Sequence, residues 1–316
     1  MIPSKDALEK RLTLLKREVL SRGFERHPSV LKSVAELPRE FQSPAVTRLA
    51  EDEAIQTIIF FPAQIQRGWH YVPKQALLFT STGVITLLAS VWPDEAPQVT
   101  YLKSRALLYV KVTLILLYGF LEIVAQGHDT QVRLGVEFNA AFWDLLSPPL
   151  RKLLQATQAM PATLVNESAY SPTVGQALEE LPLKFSNGIR IHGLLPGEEL
   201  EETIFQPATR QRRLLLFWKL ISADTLLLLT SNYMVVIQEE PGVGQGWILS
   251  YLPRSRIAGM QNRTLSEWNE LTVQLRGEEQ TAEYKLLLKS ETAQSWRERW
   301  VRHGGYWQDI QDETEK

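Results

Sequence analysis

Short apolar runs separated by turn residues fill most of the chain. In the second half, Ser231-Asn232 and Arg276-Gly277 stand between such runs. Apolar runs bounded by Ser, Asn and Gly predict β-strands, and several runs are apolar on both faces, as in curved sheets closed over a core. We predict strands over 200–206, 214–218, 225–230, 233–238, 247–252, 271–275 and 284–288.

Two segments 150 positions apart carry the same pattern. Residues 76–87 read ALLFTSTGVITL and residues 226–237 read LLLLTSNYMVVI. Each has an apolar run, Thr-Ser, two turn residues and a second apolar run. Other landmarks recur in the same order at shifts of 144 to 150, among them ELP, the IF-x-P segment, QR, YL and a turn glycine. Ordered recurrence predicts a duplicated domain, with five extra residues in the second copy just before its Thr-Ser segment.

The apolar period changes from strand to helix at the end of each copy. In the second copy, Ser290 is a predicted N-cap, and Ala293, Trp296, Trp300 and Val301 form one predicted apolar stripe at helical spacing. In the first copy, Asn139 is the predicted cap. The pair Pro148-Pro149 is predicted to break the first helix and to restart it.

A helix is also predicted at the N-terminus, from a cap at Ser4 to Gly23. Its apolar stripe spans barely two heptads and consists of Leu8, Leu12, Leu15 and Val19. The stripe has two interpretations: it docks on its own domain, or it joins two copies of the chain in a homo-oligomer.

Length and charge limit the class of protein. A chain of 316 residues fits two domains, here a helical leader (1–33), a first repeat (34–158), a linker (159–178), a second repeat (179–303) and a polar tail (304–316) expected to be disordered. The net charge of −2 gives no global field for nucleic acid. Cysteine is absent, and the N-terminus lacks the apolar core of a signal peptide. These features predict a cytoplasmic protein.

The strand series ending in a Trp-bearing helix resembles the pleckstrin-homology (PH) superfold, in particular bacterial PH-like and GRAM-like domains. The similar segments are PGEELEETIFQP (196–207), LLLLTSNYMVVI (226–237) and YLPRSRI (251–257). The resemblance implies a β-rich α+β protein with two tandem PH-like barrels, each closed by a C-terminal helix that places Trp296 at one barrel end, plus an N-terminal helix.

The resemblance also directs attention to the loop after the first strand, where lipid-binding members carry basic residues. The second copy has Arg210, Arg212 and Arg213 there, followed by Trp218 and Lys219. Together with Trp247, these six residues are the predicted binding site, because interface hot spots favour Trp and Arg. The alternative is a solvated face whose charge is offset by the acidic run at 198–202.

No catalytic signature occurs. The chain lacks GxSxG, P-loop and GxGxxG motifs before a helix, and its five histidines have no metal-ligand spacing. We therefore predict a non-enzymatic binding or scaffolding protein with a protein or peptide partner and without cofactor, metal or nucleic acid. Weak binding to an anionic membrane surface is the second hypothesis, and an enzyme of unrecognised type is the third.

Overall fold

The computed structural model describes residues 5–21, 27–50, 52–66, 70–92, 94–127, 130–157, 178–195, 197–213, 217–241, 246–265, 268–277 and 281–310. At 18, 20, 21, 66, 211–213 and 217–219 it describes the backbone alone. The predicted cap Ser4, the helix end at Gly23 and residues 159–177 of the predicted linker lie outside these ranges.

The chain forms two compact units. One contains Met1–Arg105, Leu117–Leu121 and Leu134–Ala156; the other contains Ala106–Leu116, Glu122–Arg133 and Thr157–Lys316. The division near residue 156 is close to the end of the predicted first repeat. However, residues 106–116 and 122–133 of that repeat belong to the second unit.

Within the described residues, the first unit contains one antiparallel sheet, one small hairpin and three helices. Its helices are α1 (Lys5–Ser21), α2 (Arg39–Arg48) and α3 (Trp143–Gln155). Its strands are β1 (Ser29–Leu31), β2 (Ile55–Phe61), β3 (Gln64–Gln66), β4 (His70–Val72), β5 (Gln75–Thr80), β6 (Gly83–Leu88) and β7 (Gln98–Lys103). The sheet has the order β1-β2-β5-β6-β7, and β3 pairs with β4.

Helix α2 covers one face of this sheet. Phe41 and Ala45 are fully buried in a cluster with Ile58, Leu78 and Ile85, and burial of such side chains contributes roughly 1.5–3 kcal/mol each. Residues 29–31, which the sequence placed in the helical leader, instead form the edge strand β1 paired with β2. The predicted leader helix ended at Gly23, so β1 is an additional element that the sequence did not predict.

The apolar stripe of α1 lies against its own unit. Val19 is buried, Leu12 and Leu15 are half-buried, and Leu8 is 38% exposed. The Arg11 guanidinium donates from Nε to the Val91 carbonyl at 3.0 Å. These contacts support docking of the helix within the first unit, and self-association through the stripe stays a prediction.

In its described part, the second unit contains two larger sheets and one hairpin. Its helices are α4 (Leu183–Gly188) and α5 (Ser290–Arg302). Its strands are β8 (Leu107–Ile115), parts of β9 (Tyr118–Gln126) and β10 (Gln131–Asn139), β11 (Leu200–Gln206), β12 (Thr209–Arg213), β13 (Phe217–Ser222), β14 (Thr225–Thr230), β15 (Tyr233–Glu239), β16 (Gly246–Pro253), β17 (Ile257–Leu265), β18 (Trp268–Arg276), β19 (Thr281–Lys289) and β20 (Trp307–Ile310).

Strand order in these sheets is β10-β9-β8-β16-β15-β14-β11 and β19-β18-β17-β20, and β12 pairs with β13. Among the described residues, neither large sheet closes on itself, so the two predicted barrels stay a prediction. Strand β20 corrects one expectation: residues 307–310, assigned to a disordered tail, pair in parallel with β17.

Helix α5 carries the central aromatic residue of the second unit. Trp296 has no exposed surface and packs in a cluster with Leu227, Val236 and Leu271. The predicted cap needs correction: Ser290 is the first residue of the helix, and its hydroxyl donates to the Asn269 side chain at 2.7 Å.

In the first copy, Asn139 caps the 3-10 turn Ala140–Phe142 that leads into α3: its side chain accepts a hydrogen bond from the Ala141 amide at 3.0 Å. The predicted break at Pro148-Pro149 is wrong, since α3 runs through both prolines. Each proline removes one intrahelical hydrogen bond. Burial of Leu146, Leu150 and other apolar residues on both sides of the prolines holds the helix together.

The Thr-Ser segments that first indicated a repeat form the same hydrogen-bonded turn. The Gly83 amide donates to the Thr80 hydroxyl oxygen at 3.0 Å, and the Tyr233 amide donates to that of Thr230 at 3.1 Å. Both threonine hydroxyls lie within hydrogen-bond reach of a glutamate carboxylate, Glu53 in the first unit and Glu198 in the second. The two glutamates stand 145 positions apart, although the sequence pattern did not single them out.

Candidate functional site

Five of the six predicted binding residues lie on the hairpin β12–β13. Backbone register places Arg212 opposite Trp218, Gln211 opposite Lys219 and Arg210 opposite Leu220. Arg210 is exposed, and the side chains of 211–219 are outside the described part of the chain. The five extra residues of the second copy lengthen this hairpin relative to β3–β4.

A buried polar pair fixes the base of the hairpin. Gln206, at the end of β11, has no exposed surface and donates to the Ser222 hydroxyl at 2.7 Å. Its side-chain oxygen accepts from the Lys289 amide at 2.6 Å. A buried amide with both ends paired holds its neighbours in one geometry. The hairpin therefore starts and ends at a fixed point of the second unit.

An ion cluster flanks the same base. Lys184 lies 3.1 Å from Asp224 Oδ2 and 2.7 Å from Glu239 Oε2. Burial acts to lower the pKa of Lys184, but the hydrogen bonds to these carboxylates outweigh it and raise the pKa. Burial acts to raise the pKa of Asp224, but the Ala208 amide and its side-chain partners lower it. These charges are paired with each other within the second unit.

Trp247 lies apart from the other predicted residues in the sheet order. It is half-buried on β16, whose register partners are Glu239 and Leu114. Its ring packs edge-on against Phe185 of α4 at 5.2 Å between centroids. Trp247 therefore contributes to packing between α4 and the seven-stranded sheet.

Two carboxylates of the acidic strand β11 have partners other than the hairpin. Glu202 accepts from Arg299 at 3.1 Å and from Arg302 at 3.0 Å. Glu201 contacts Arg254 at 2.7 Å and His303 at 3.1 Å. These two carboxylates therefore have partners outside the hairpin, and the interpretation of the hairpin as a solvated face stays a prediction.

The first unit has a cleft at the positions that correspond to the ion pairs of Glu201 and Glu202. It has a volume of about 410 Å³. At shifts of 145 or 150 residues, Gln56, Ser104, Pro149 and Lys152 of the cleft stand where the second copy has Glu201, Arg254, Arg299 and Arg302. These positions do not carry the paired charges of the second copy, and Lys152 is the one basic residue among those that line the cleft. Sequence reasoning missed this cleft, although position-by-position comparison of the copies contained the signal.

The most strongly shifted titratable group has a structural partner. Burial raises the pKa of Tyr284 to about 12, and its hydroxyl donates to the Ser250 hydroxyl at 2.9 Å. In the described ranges, no three His, Asp or Glu side chains are grouped as a metal site would need. Nor does any helix there have the length and apolar character to cross a membrane.

Comparison with models of protein families gives no match for this chain. Comparison with curated protein sequences also gives none. The assignment of function therefore depends on the chemistry of the described residues.

Proposed function

We propose that this chain is a non-enzymatic binding or scaffolding protein whose hairpin β12–β13 takes an acidic protein or peptide segment. The observation that carries the proposal is that the two ends of this hairpin are held at a fixed point of the second unit. The hairpin itself is basic and contains a tryptophan. Arg210, Arg212, Arg213 and Lys219 supply positive charge, and Trp218 supplies a large apolar surface. Such a combination is typical of hot spots in protein interfaces.

We also propose that each half of the chain derives from a PH-like domain. Support comes from the shared element order: a first strand, a hairpin, three strands, a 3-10 turn, three long strands and a helix. The 3-10 turns Ser104–Ala106 and Arg254–Arg256 stand 150 residues apart, as do the strands that follow them. The pairing of β8 with β16 joins strands from both halves in one sheet. The proposal is therefore one of shared ancestry and does not require two separate barrels.

A peptide-binding measurement tests the hairpin. We would titrate the protein into a short fluorescein-labelled peptide of alternating glutamate and phenylalanine and follow fluorescence anisotropy. The variant Arg210→Glu/Arg212→Glu should lose most of the binding, because a favourable charge pair becomes a repulsive one. The control is Arg105→Glu/Arg276→Glu, which makes the same change in net charge at two exposed arginines outside the hairpin.

The control variant should bind as the unaltered protein does. Equal loss of affinity in both double variants would show that overall charge, and not the hairpin, attracts the peptide. Retention of affinity in the hairpin variant would refute the proposed site.

A membrane surface is the second candidate, favoured by the pairing of Glu201 and Glu202 away from the hairpin. Sedimentation with vesicles containing phosphatidylserine tests it at low and at physiological salt. Lipid binding should fade as salt rises and should be lost with the same hairpin variant. Absence of sedimentation at low salt would remove this candidate.

A further inference from the structure

Two equivalent sheet edges in the second unit are covered by different parts of the chain. Strands β8 and β17 both follow a 3-10 turn, and they stand 150 residues apart. One edge of β8 pairs with β9, and its other edge pairs antiparallel with β16. The pairing with β16 runs from Gly246 opposite Ile115 to Tyr251 opposite Val110. The corresponding edge of β17 instead pairs in parallel with the short C-terminal strand β20.

The C-terminal strand occupies the same stretch that β16 uses on the equivalent strand. Strand β20 covers β17 from Met260 to Arg263. Their counterparts on β8 are residues 110–113, which pair with β16 residues 251–248. Strand β20 therefore occupies the part of the β17 edge at which a strand equivalent to β16 would pair.

Strand β7 is the counterpart of β16 in the first half, since both directly precede the 3-10 turn. In the described part of the chain, β7 is the last strand of its sheet and pairs on one side only, with β6. Its residues from Gln98 to Tyr101 are exposed or half-buried. An unpaired edge presents a row of amides and carbonyls that can pair with another chain.

We propose that β7 of one copy pairs antiparallel with β17 of a second copy, and that β20 is a displaceable cap on this interaction surface. The register follows from the pairing of β16 with β8. Tyr101 of one copy would lie opposite Met260 of the other, and Gln98 opposite Arg263. Each copy has one edge of each kind, so association is head-to-tail and forms a ring or a filament.

The cap is held by a small number of specific contacts. After α5, the chain turns at Gly304, whose φ is 78°, and at Gly305, where a Cβ would lie 2.0 Å from the Trp300 ring. The Trp300 indole then donates to the Tyr306 carbonyl at 3.1 Å. Asp309 accepts from Asn262 at 2.9 Å and forms an ion pair with Arg297 of α5 at 2.9 Å. The turn residues and these polar contacts direct the C-terminus onto the edge of β17.

Little apolar burial holds the cap in place. Residues 308–310 are exposed, and Trp307 alone in the strand is half-buried. The strand covers four residues of β17, whereas β16 covers six of β8. Segments with few buried contacts open at low free-energy cost. Replacement of β20 by β7 would therefore exchange a short pairing for one that can be longer.

Disulfide trapping tests the pairing, because the chain has no cysteine of its own. We would prepare two singly substituted full-length proteins, Gln98→Cys and Arg263→Cys, mix them, oxidise them mildly and quantify the heterodimer on a non-reducing gel. Directly opposed strand residues have the separation that a disulfide needs. Glu283→Cys, exposed on β19 of the same sheet, replaces Arg263→Cys as the surface control. Thr264→Cys, one position out of register, is the second control.

We expect several-fold more heterodimer from the Gln98 and Arg263 pair than from either control pair. Removal of residues 307–316 from the Arg263→Cys protein should increase that yield several-fold. Circular dichroism of the shortened protein checks that it folds. Asp309→Ala in the full-length chain provides the same test of the cap without shortening, with a smaller increase expected.

Three results would overturn the proposal. The first is equal crosslinking of the control and test pairs. The second is a doubly substituted Gln98→Cys/Arg263→Cys chain that forms its disulfide within one copy only, which would make the partner the same chain. The third is a yield that neither the shortening nor Asp309→Ala increases. None of these outcomes bears on peptide binding by the hairpin, so the two proposals fail separately.

Discussion

Replacement of Glu198 by alanine should destabilise the second unit more than any equivalent change at Glu53. Glu198 is 2% exposed and accepts three hydrogen bonds. The donors are the Thr230 hydroxyl at 2.7 Å, and the backbone amide and side-chain amide of Asn232, both at 2.9 Å. These bonds fix the turn between β14 and β15.

The size of the expected loss in the free energy of unfolding depends on which of these donors can form other hydrogen bonds. A hydrogen bond to a charged group contributes about 1.5–3 kcal/mol to stability. After the change, the Thr230 hydroxyl can still donate to the Tyr233 carbonyl at 3.2 Å, and half-buried Asn232 can bind water. Removal of a buried carboxylate also recovers part of its desolvation cost. We therefore expect Glu198→Ala to lower the free energy of unfolding by about 2–4 kcal/mol.

Glu53 is the matched control, because it accepts from hydroxyls of the same turn in the first unit. Its site is only half-buried, and its donors Thr82 and Tyr101 can reach water. Partial burial acts to raise the pKa of Glu53, but its hydroxyl donors outweigh burial and lower the pKa. Glu53→Ala should cost about 1 kcal/mol.

Urea titration followed by tryptophan fluorescence and far-UV circular dichroism measures both changes. The slope of the free energy against urea must be the same in each variant for the comparison to hold. If Glu53→Ala destabilises the protein as much as Glu198→Ala, burial does not set the strength of these bonds and the reasoning fails.

Three further outcomes are expected. Trp296→Ala should lower the free energy of unfolding by about 3–5 kcal/mol in the same titration, because it leaves a cavity in the core cluster; a change below 1 kcal/mol would contradict full burial. Because the folded-state pKa of Tyr284 is raised to about 12 from 10.0, the stability that its neutral form contributes should be complete below pH 10 and lost as pH rises to 12. Tyr284→Phe should remove that loss, and an unchanged pH profile would refute the assignment. Hydrogen bonds, chiefly from Asn262, lower the pKa of Asp309, so the protection of amides 307–310, measured as the intrinsic exchange rate at each pH divided by the observed rate, should fall as pH drops from above 3.8 through that pKa. Protection that does not change with pH would count against a role of Asp309 in holding β20.

Local signals in the sequence were sufficient for most elements. The Thr-Ser segments, the Asn139 cap and the stripe around Trp296 all depend on residues near one another in the chain, and each lies where the pattern placed it. The position of the five extra residues could also be predicted from the sequence, because an insertion between two strands lengthens the segment that connects them. Local propensity failed at Pro148-Pro149, where burial of leucines outweighs the lost hydrogen bonds.

The candidate site was only partly accessible from sequence. The resemblance to PH-like domains pointed to a basic loop after the first strand, but Arg254 and Arg299, which pair with Glu201 and Glu202, lie far away in the chain. The same holds for Trp247, whose contact with Phe185 spans different elements. Pairing of charges and rings across such separations follows from the fold and not from neighbouring residues.

The sequence by itself determined most strands of the second copy and the helix that ends each copy, because apolar period, turn residues and caps act within a few positions. Strand partnership was decided by the tertiary structure alone. Strand β8 has no local reason to choose β16, and β17 has none to choose β20. Backbone amides and carbonyls are the same in every strand, so an edge is satisfied by whichever segment the packed core brings beside it.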